Sequence, residues 1–331
     1  MTIITSEIRT FLNQHLGHVD YRLVPIEKGG SDRHFFRVIL MDARSFIFMR
    51  YGTEVEENAY WTAINRFLND LHLPVPLIIA FDAGKRFVLT EDLGDDDLFS
   101  QKGLPWSKRR HYYLAALSEI HRLHRHPPDQ IPPGLKLCRG YDRDLYVWEH
   151  NYFLDHFVGA VCNLSLPDPA LHAWQAEADT LIARLLRTAP CLIHRDFQSQ
   201  NILIRDERPV FIDFQGLRQG SLYYDLGSLI CDPYVVLTGD ERRELKAFYY
   251  RIFEPDYSLA EFTTRFWEGA AQRLMQALGA YGFLGLTKNK PGFLQHIENG
   301  LVNLIAAAEK AALPVLSDIA NQCCEILKRR R

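Results

Sequence analysis

The chain has 331 residues, of which 47% are hydrophobic and 24% charged, and it carries a formal net charge of −3. That length suits two lobes better than one core, and the composition belongs to a folded protein, not a disordered one. Lys and Arg are scattered, which argues against a dedicated nucleic-acid binder, and the basic run Lys328 to Arg331 reads as a solvated helix end complementing the helix dipole.

In chain order, residues 5 to 16 predict a short amphipathic helix with Ile8, Phe11 and Leu12 on one side. The period then changes. Tyr21 to Ile26, His34 to Leu40 and Ser45 to Tyr51 predict three strands rich in aromatic and branched residues, the first two joined by the glycine turn Lys28-Gly29-Gly30-Ser31-Asp32-Arg33. Glu54 to Leu71 predicts a helix that Pro74 and Pro76 stop. Two further strands follow, Leu77 to Phe81 and Arg86 to Thr90. Beyond about residue 95 helices dominate: Ser107 to His124, Tyr141 to Val161 and Leu171 to Arg187, the last two separated by Pro167 and Pro169. Short apolar runs then interrupt, at Pro190 to Ile193, Ile202 to Ile204 and Val210 to Ile212, before a helical remainder after Tyr224. The division is a β-rich lobe over 1–94 and a helical lobe over 95–331.

The informative stretch is His194-Arg195-Asp196-Phe197-Gln198-Ser199-Gln200-Asn201, then Ile212-Asp213-Phe214, then Tyr224-Asp225-Leu226-Gly227. Asp196 and Asn201 share one loop, and a twelve-residue gap leaves room for a hairpin that returns Asp213 to Asn201. Phosphoryl transfer asks a protein for positioning and charge neutralisation more than for covalent chemistry. Magnesium needs hard oxygen ligands and takes only one or two carboxylates beside phosphate and water, which an Asn and an Asp on adjacent turns provide. A carboxylate just ahead of them, Asp196, can accept the proton of an incoming hydroxyl. Each residue alone has an ordinary structural reading, a cap, a turn or a loop brace; the combination is what carries the chemistry.

These residues resemble the protein-kinase-like superfamily. No long activation loop fits between Asp213 and Asp225 and no Ala-Pro-Glu triplet follows, so the likeness is to the small-molecule kinases of the aminoglycoside phosphotransferase family. Within it the catalytic loops, with Thr90-Glu91-Asp92-Leu93-Gly94 and Gln272-Arg273-Leu274, are most similar to the bacterial anomeric kinases of N-acetylmuramate and N-acetylglucosamine. The resemblance implies an α+β fold: a bilobal protein-kinase-like architecture with a small antiparallel β-sheet in the N-lobe and a mainly helical C-lobe. It implies ATP and Mg2+ as cofactors and a small-molecule acceptor, a sugar. It gives Asp196 the catalytic role, Asn201 and Asp213 the metal, and His194 and Asp225 structural support. Gly29, Gly30, Ser31 and Arg33 would lie over the phosphates, and Glu91 and Leu93 would bind adenine. Glu149 and Arg273 stand in helices expected to face the acceptor.

One departure stands out. The third strand of a kinase carries a lysine for the phosphates, and here Met49 aligns with it while Arg50 points to the other face of a regular strand. A bulge would make Arg50 the substitute; otherwise Arg33 or Arg37 takes the role. An aminoglycoside, choline or aminoalcohol kinase is the alternative enzyme, with Asp142, Asp144, Glu149 and Asp155 to meet a cationic acceptor. A nucleotide-binding pseudokinase is the alternative that the missing lysine suggests. The six cysteines form no Cys-x-x-Cys pair, Met1 to Phe11 has no secretory pattern, and Leu301 to Leu316 is too short and too charged to span a bilayer. A cytoplasmic protein with no membrane or nucleic-acid partner is expected.

Overall fold

A computed structural model describes residues 5–26 and 32–330. Helix α1 (Ser6–Leu16) starts where the Thr5 hydroxyl accepts the Ile8 N–H. It lays Ile8, Phe11 and Leu12 against one face of a five-stranded antiparallel sheet. The strands are β1 (Tyr21–Ile26), β2 (Arg33–Leu40), β3 (Ser45–Tyr51), β4 (Ile78–Asp82) and β5 (Phe87–Glu91), in the order β1-β2-β3-β5-β4. Phe36, Val38, Phe48, Phe87 and Leu89 complete that outer core, each large side chain contributing about 1.5–3 kcal/mol by burial. The opposite face, with Met49, Tyr51 and Val88, joins the main core that continues through the helical part of the chain.

The expected helix Glu54 to Leu71 divides in two. A 3-10 stretch, Glu56–Tyr60, precedes helix α2 (Trp61–Asp70). The entry is fixed from the sheet: the Asp32 carboxylate accepts the Glu54 N–H at 3.1 Å and the Asn58 side-chain amide. Periodicity cannot foresee such a contact. Trp61 of α2 then packs on Phe214, ring to ring at 5.1 Å.

Helix α3 (Trp106–His124) is followed by α4 (Arg143–Phe153), which begins one residue after its cap, Asp142, whose carboxylate accepts the Leu145 N–H at 2.9 Å. The expected helix to Val161 gives way after Phe153 to a π-helical stretch, Leu154–Gly159. Helix α5 (Asp168–Leu185) contains Pro169 in its first turn, so this proline starts the helix instead of standing between elements. Two small two-stranded sheets follow: β6 (Cys191–Ile193) pairs with β9 (Arg218–Gly220), and between them in the chain β7 (Ile202–Arg205) and β8 (Arg208–Phe211) form a hairpin. Strand β9 has no counterpart in the sequence reading, because three residues of mixed polarity show no period.

Helices α6 (Leu222–Ile230), α7 (Gly239–Phe253), α8 (Leu259–Gly282), α9 (Ile297–Lys310) and α10 (Pro314–Arg329) complete the chain. Buried α6 runs close against α8: a Cβ on Gly227 would meet the Ala270 Cα at 2.7 Å, and one on Gly269 would meet the Tyr223 Cβ at 2.5 Å. That approach brings Arg273 of α8 to the loop between β6 and β7.

Candidate active site

The loop after β6 is tied at both ends by buried carboxylates. Asp225 on α6 accepts the backbone N–H of His194 at 2.7 Å and of Arg195 at 2.8 Å. Asp232 accepts the Ser199 N–H at 2.8 Å and the Tyr234 N–H at 2.9 Å. Arg195 adopts φ +77°, a left-handed conformation that costs a non-glycine residue about 1–2 kcal/mol; the Asp225 bonds offset it. His124 of α3 donates through Nε2 to Asp225 at 3.1 Å and accepts the Tyr249 hydroxyl at Nδ1, 2.6 Å away.

Internal bonds close the same loop on the β7–β8 hairpin. The Asn201 side-chain amide donates to the Asp196 carbonyl at 2.9 Å, and the Ile212 N–H donates to the Asn201 carbonyl at 3.0 Å. His194 Nε2 donates to the Ile212 carbonyl at 3.0 Å. Asp196, Asn201 and Asp213 are thereby brought together, with His194 and Asp225 in the scaffold. Asp213 itself sits at φ 65°, its carboxylate accepting from Arg33 at 2.5 Å and from Gln215 at 2.9 Å.

Asp196 lies between two cations. Arg195 Nη1 is 2.5 Å from one carboxylate oxygen and Arg273 Nη2 is 3.5 Å from the other. Burial works to raise this carboxyl, but the Arg195 and Arg273 guanidiniums overcome it and hold the group down at about 2. Arg273 is positioned in turn by Ser228 at 2.9 Å, Gln276 at 2.7 Å and Gln198 at 3.3 Å. Glu149 is almost wholly buried, and its carboxylate accepts from Tyr141 at 2.8 Å, Tyr224 at 3.1 Å and Gln272 at 2.9 Å. Burial pushes its carboxyl up. Glu149 thus stands behind the site, in the packing that supports Arg195, and does not line an open acceptor surface.

Strand β3 pairs without interruption, from Ser45 opposite Ile39 to Tyr51 opposite Arg33. With no bulge, Met49 falls on the face of Tyr51, turned to the main core, and Arg50 on the face of Phe48, turned to α1. The expectation for Arg50 is corrected on that ground: it stands on the wrong side of the sheet to serve the cleft. Arg37 is committed elsewhere, to Asp95 at 2.8 Å and Asp92 at 3.2 Å. Arg33, one pair along from His34–Arg50 on the cleft face, is the cation that reaches Asp213. Glu91 uses its N–H and its carboxylate on Leu77, at 3.1 and 2.8 Å, while Leu93 is buried two residues on. Gly29, Gly30 and Ser31 lie outside the described residues.

Asp232 received no role from the sequence, and Arg195 and Gln272 entered it only as members of the quoted motifs.

A family model described as the phosphotransferase enzyme family matches residues 22–262. The chain belongs to that family. It is 27% identical over 218 residues to an N-acetylmuramate/N-acetylglucosamine kinase of Neisseria meningitidis, covering 65% of this chain and 63% of the relative. A protein of the same name from Pseudomonas putida is 27% identical over 194 residues, 58% of this chain and 54% of the relative. The match therefore spans less than two thirds of either relative. Among solved structures, a choline/ethanolamine kinase family protein from Mesorhizobium loti superposes with TM-score 0.64 at 17% identity, over 96% of this chain and 99% of that one. The gentamicin complex of APH(2")-IIa gives 0.64 at 14% identity, over 91% and 97%. At these identities the likeness is one of fold: the bilobal α+β architecture of protein-kinase-like enzymes, small antiparallel sheet above helices.

Proposed function

We propose that this chain is an ATP- and magnesium-dependent kinase that moves the γ-phosphate to the anomeric hydroxyl of an N-acetylated amino sugar. The observation that carries the reading is the convergence of Asp196, Asn201 and Asp213 on one hydrogen-bonded scaffold braced by Asp225. The names of the relatives favour the acceptor.

In this reading Asp196 orients the acceptor hydroxyl. A carboxylate held at about 2 is a weak base, so it takes the proton late, as the oxygen–phosphorus bond forms; this suits the loose transition state of phosphoryl transfer. Asn201 and Asp213 fit magnesium: both offer hard oxygens, and two protein ligands leave positions for phosphate and water. Among the described residues no group of three or more His, Cys, Asp or Glu forms a ready-made cage, in keeping with an ion that arrives with its nucleotide. Bound there, magnesium would neutralise charge on the phosphate oxygens. Arg33 serves the phosphates in place of the absent strand lysine, and Arg273 holds Asp196 at its working angle. The Glu91 carbonyl and Leu93 N–H read the adenine.

Two of the four carboxylates that a cationic aminoglycoside or choline acceptor would call on, Glu149 and Asp142, are engaged elsewhere. Glu149 meets three donors, and Asp142 caps α4 while pairing with Arg139 at 2.6 Å. No described helix is long and apolar enough to cross a membrane, all six cysteines are free, and a cytoplasmic setting is part of the proposal. The test is ATP consumption with magnesium against N-acetylmuramate, N-acetylglucosamine, aminoglycosides and choline, with the phosphorylated position read by phosphorus NMR. Sugar 1-phosphate is the expected product; turnover on choline alone would replace the acceptor, and silence throughout would refute the kinase.

A further inference from the structure

Helix α7 carries Arg242 and Lys246 one turn apart, and α9 carries Asn303 and Lys310 two turns apart, so each pair shares a helix face. The two faces meet where Arg242 Nη2 donates to Asn303 Oδ1 at 2.7 Å. Buried Trp267 of α8 meets both lysines, the Lys246 Nζ at 4.5 Å and the Lys310 Nζ at 4.7 Å from its ring centre. Lys246 also stands 5.1 Å from the Phe266 ring. All three cations act on the buried Cys231 thiol that follows α6. Their charges therefore converge on one place between α7, α8 and α9.

What this place lacks is a negative charge. Lys246 is only 8% exposed. Among the described residues no carboxylate forms an ion pair with it or with Lys310, Glu309 beside Lys310 in the chain included. The acids of α7 and α8 nearby are taken: Glu241 by Arg109 at 3.0 Å, Glu244 by Arg110, Asp240 by Arg243 at 2.9 Å and Glu268 by Arg184 at 3.5 Å. Arg242 Nε is buried and meets no acceptor. A buried charge without a counter-charge is costly, and aromatic rings compensate it only in part. Burial, then the charges of Lys310 and Arg242, lower the Lys246 pKa to about 8. Lys310 is exposed, so the place opens to solvent on its side. Two ammoniums that donate in any direction, beside an unused guanidinium N–H, suit an oxyanion with several acceptor oxygens. Phosphate is such a group, and near neutral pH it carries close to two charges.

We propose that Arg242, Lys246 and Lys310, gathered at Trp267, form an anion site that takes a phosphate group, free or as a phosphomonoester. The site shares no residue with the loop that carries Asp196 and Asn201, and it does not depend on the kinase reading. Its occupant supplies the counter-charge that Lys246 lacks and an acceptor for Arg242 Nε.

The test is isothermal titration of the full chain with inorganic phosphate and, separately, with glycerol phosphate, at an ionic strength held constant with chloride. Wild type is compared with Lys246→Met, with Lys310→Met at the exposed end, and with Arg33→Met as the control for the nucleotide site. Lys246→Met should weaken binding at least about tenfold, the scale of one buried charge-assisted contact. Lys310→Met should weaken it about fivefold, the scale of a solvated charge pair, and Arg33→Met should leave it unchanged. Thermal melts give a second reading. Phosphate at about fifty times its Kd should raise the wild-type Tm about 3 °C more than it raises that of Lys246→Met. Tighter binding of glycerol phosphate would name the ester as the occupant, and tighter binding of phosphate the free ion; both support the site. No saturable binding of either ligand overturns it. So does an affinity that both lysine variants keep, and so does binding lost in Arg33→Met but kept in the lysine variants, which would place the phosphate at the nucleotide site.

Discussion

Asp225→Asn separates a brace from a bystander. The carboxylate, itself fully buried, accepts two backbone N–H groups, at 2.7 and 2.8 Å, and the His124 ring at 3.1 Å. A hydrogen bond to a charged group contributes about 1.5–3 kcal/mol, and a buried donor left unsatisfied costs about 1–3 kcal/mol. Asparagine keeps one oxygen and turns an NH2 toward the other backbone donor. One charge-assisted bond is lost, and the left-handed Arg195 loses part of what holds it. The net cost is about 3 kcal/mol, which for 331 residues at ~2.1 cal/mol/K per residue lowers Tm by about 4 °C. Asp196 follows Arg195 directly, so the loop's relaxation displaces it, and a shift of about 1 Å in a positioned group costs on the order of 10²-fold in rate. The assay is calorimetry beside steady-state kinetics with the preferred acceptor: kcat should fall about 10²-fold with the ATP KM within about threefold of wild type. A 4 °C loss with unchanged kcat would make Asp225 purely structural, and an unchanged Tm would refute the bracing argument outright.

Asp196→Asn should lower kcat by at least about 10²-fold while nucleotide binding, followed by calorimetry with Mg·ATP, persists. Because the Asp196 carboxyl is depressed to about 2, its charge contributes stability above the ordinary carboxylate range, and that contribution is lost only as pH falls toward 2. A kcat profile in which this group imposes an acid limb near pH 5 would contradict the arrangement. Arg33→Met should raise the Mg·ATP KM about tenfold, removing one charge-assisted contact, whereas Arg50→Met should leave it unchanged. Lys246 is buried against Trp267 and Phe266, at 4.5 and 5.1 Å, and burial lowers its pKa to about 8. Its folded value lies below the unfolded one, so its penalty is fully present below pH 8 and fades as pH rises toward 10.5. Lys246→Met should therefore raise Tm by about 1–2 °C at pH 7, and the gain should shrink at pH 10.

The reach of the sequence differs from element to element. The five strands were legible because aromatic and branched residues sit between clear turn signals, and each prediction lies within a residue or two of the element. Helices α1 and α3 were legible from one apolar face. The segments 54–71 and 141–161 were read as single helices and are not, because Asp32 fixes the entry of one and the other loosens into a π-helical stretch. Of the site, Asp196, Asn201 and Asp213 were legible together because their spacing is set by one loop and one hairpin, local geometry that a linear motif encodes. Glu149 was placed in a suitable helix, but only burial shows its carboxylate turned inward to Tyr141, Tyr224 and Gln272. Arg50 was misjudged because a strand's two faces look alike until the partners of each are known.

Sequence by itself determined the lobed α+β class and the spacing that gathers Asp196, Asn201 and Asp213 on one loop and one hairpin, since short-range order along the chain specifies them. Tertiary structure alone decided which cation meets Asp213, which cation meets Asp196 from α8 and which carboxylates brace the loop. Those pairings span 180 residues from Arg33 to Asp213 and 77 from Asp196 to Arg273. The second exists because α6 can lie against α8 at Gly227 and Gly269, a packing fit that no local period records.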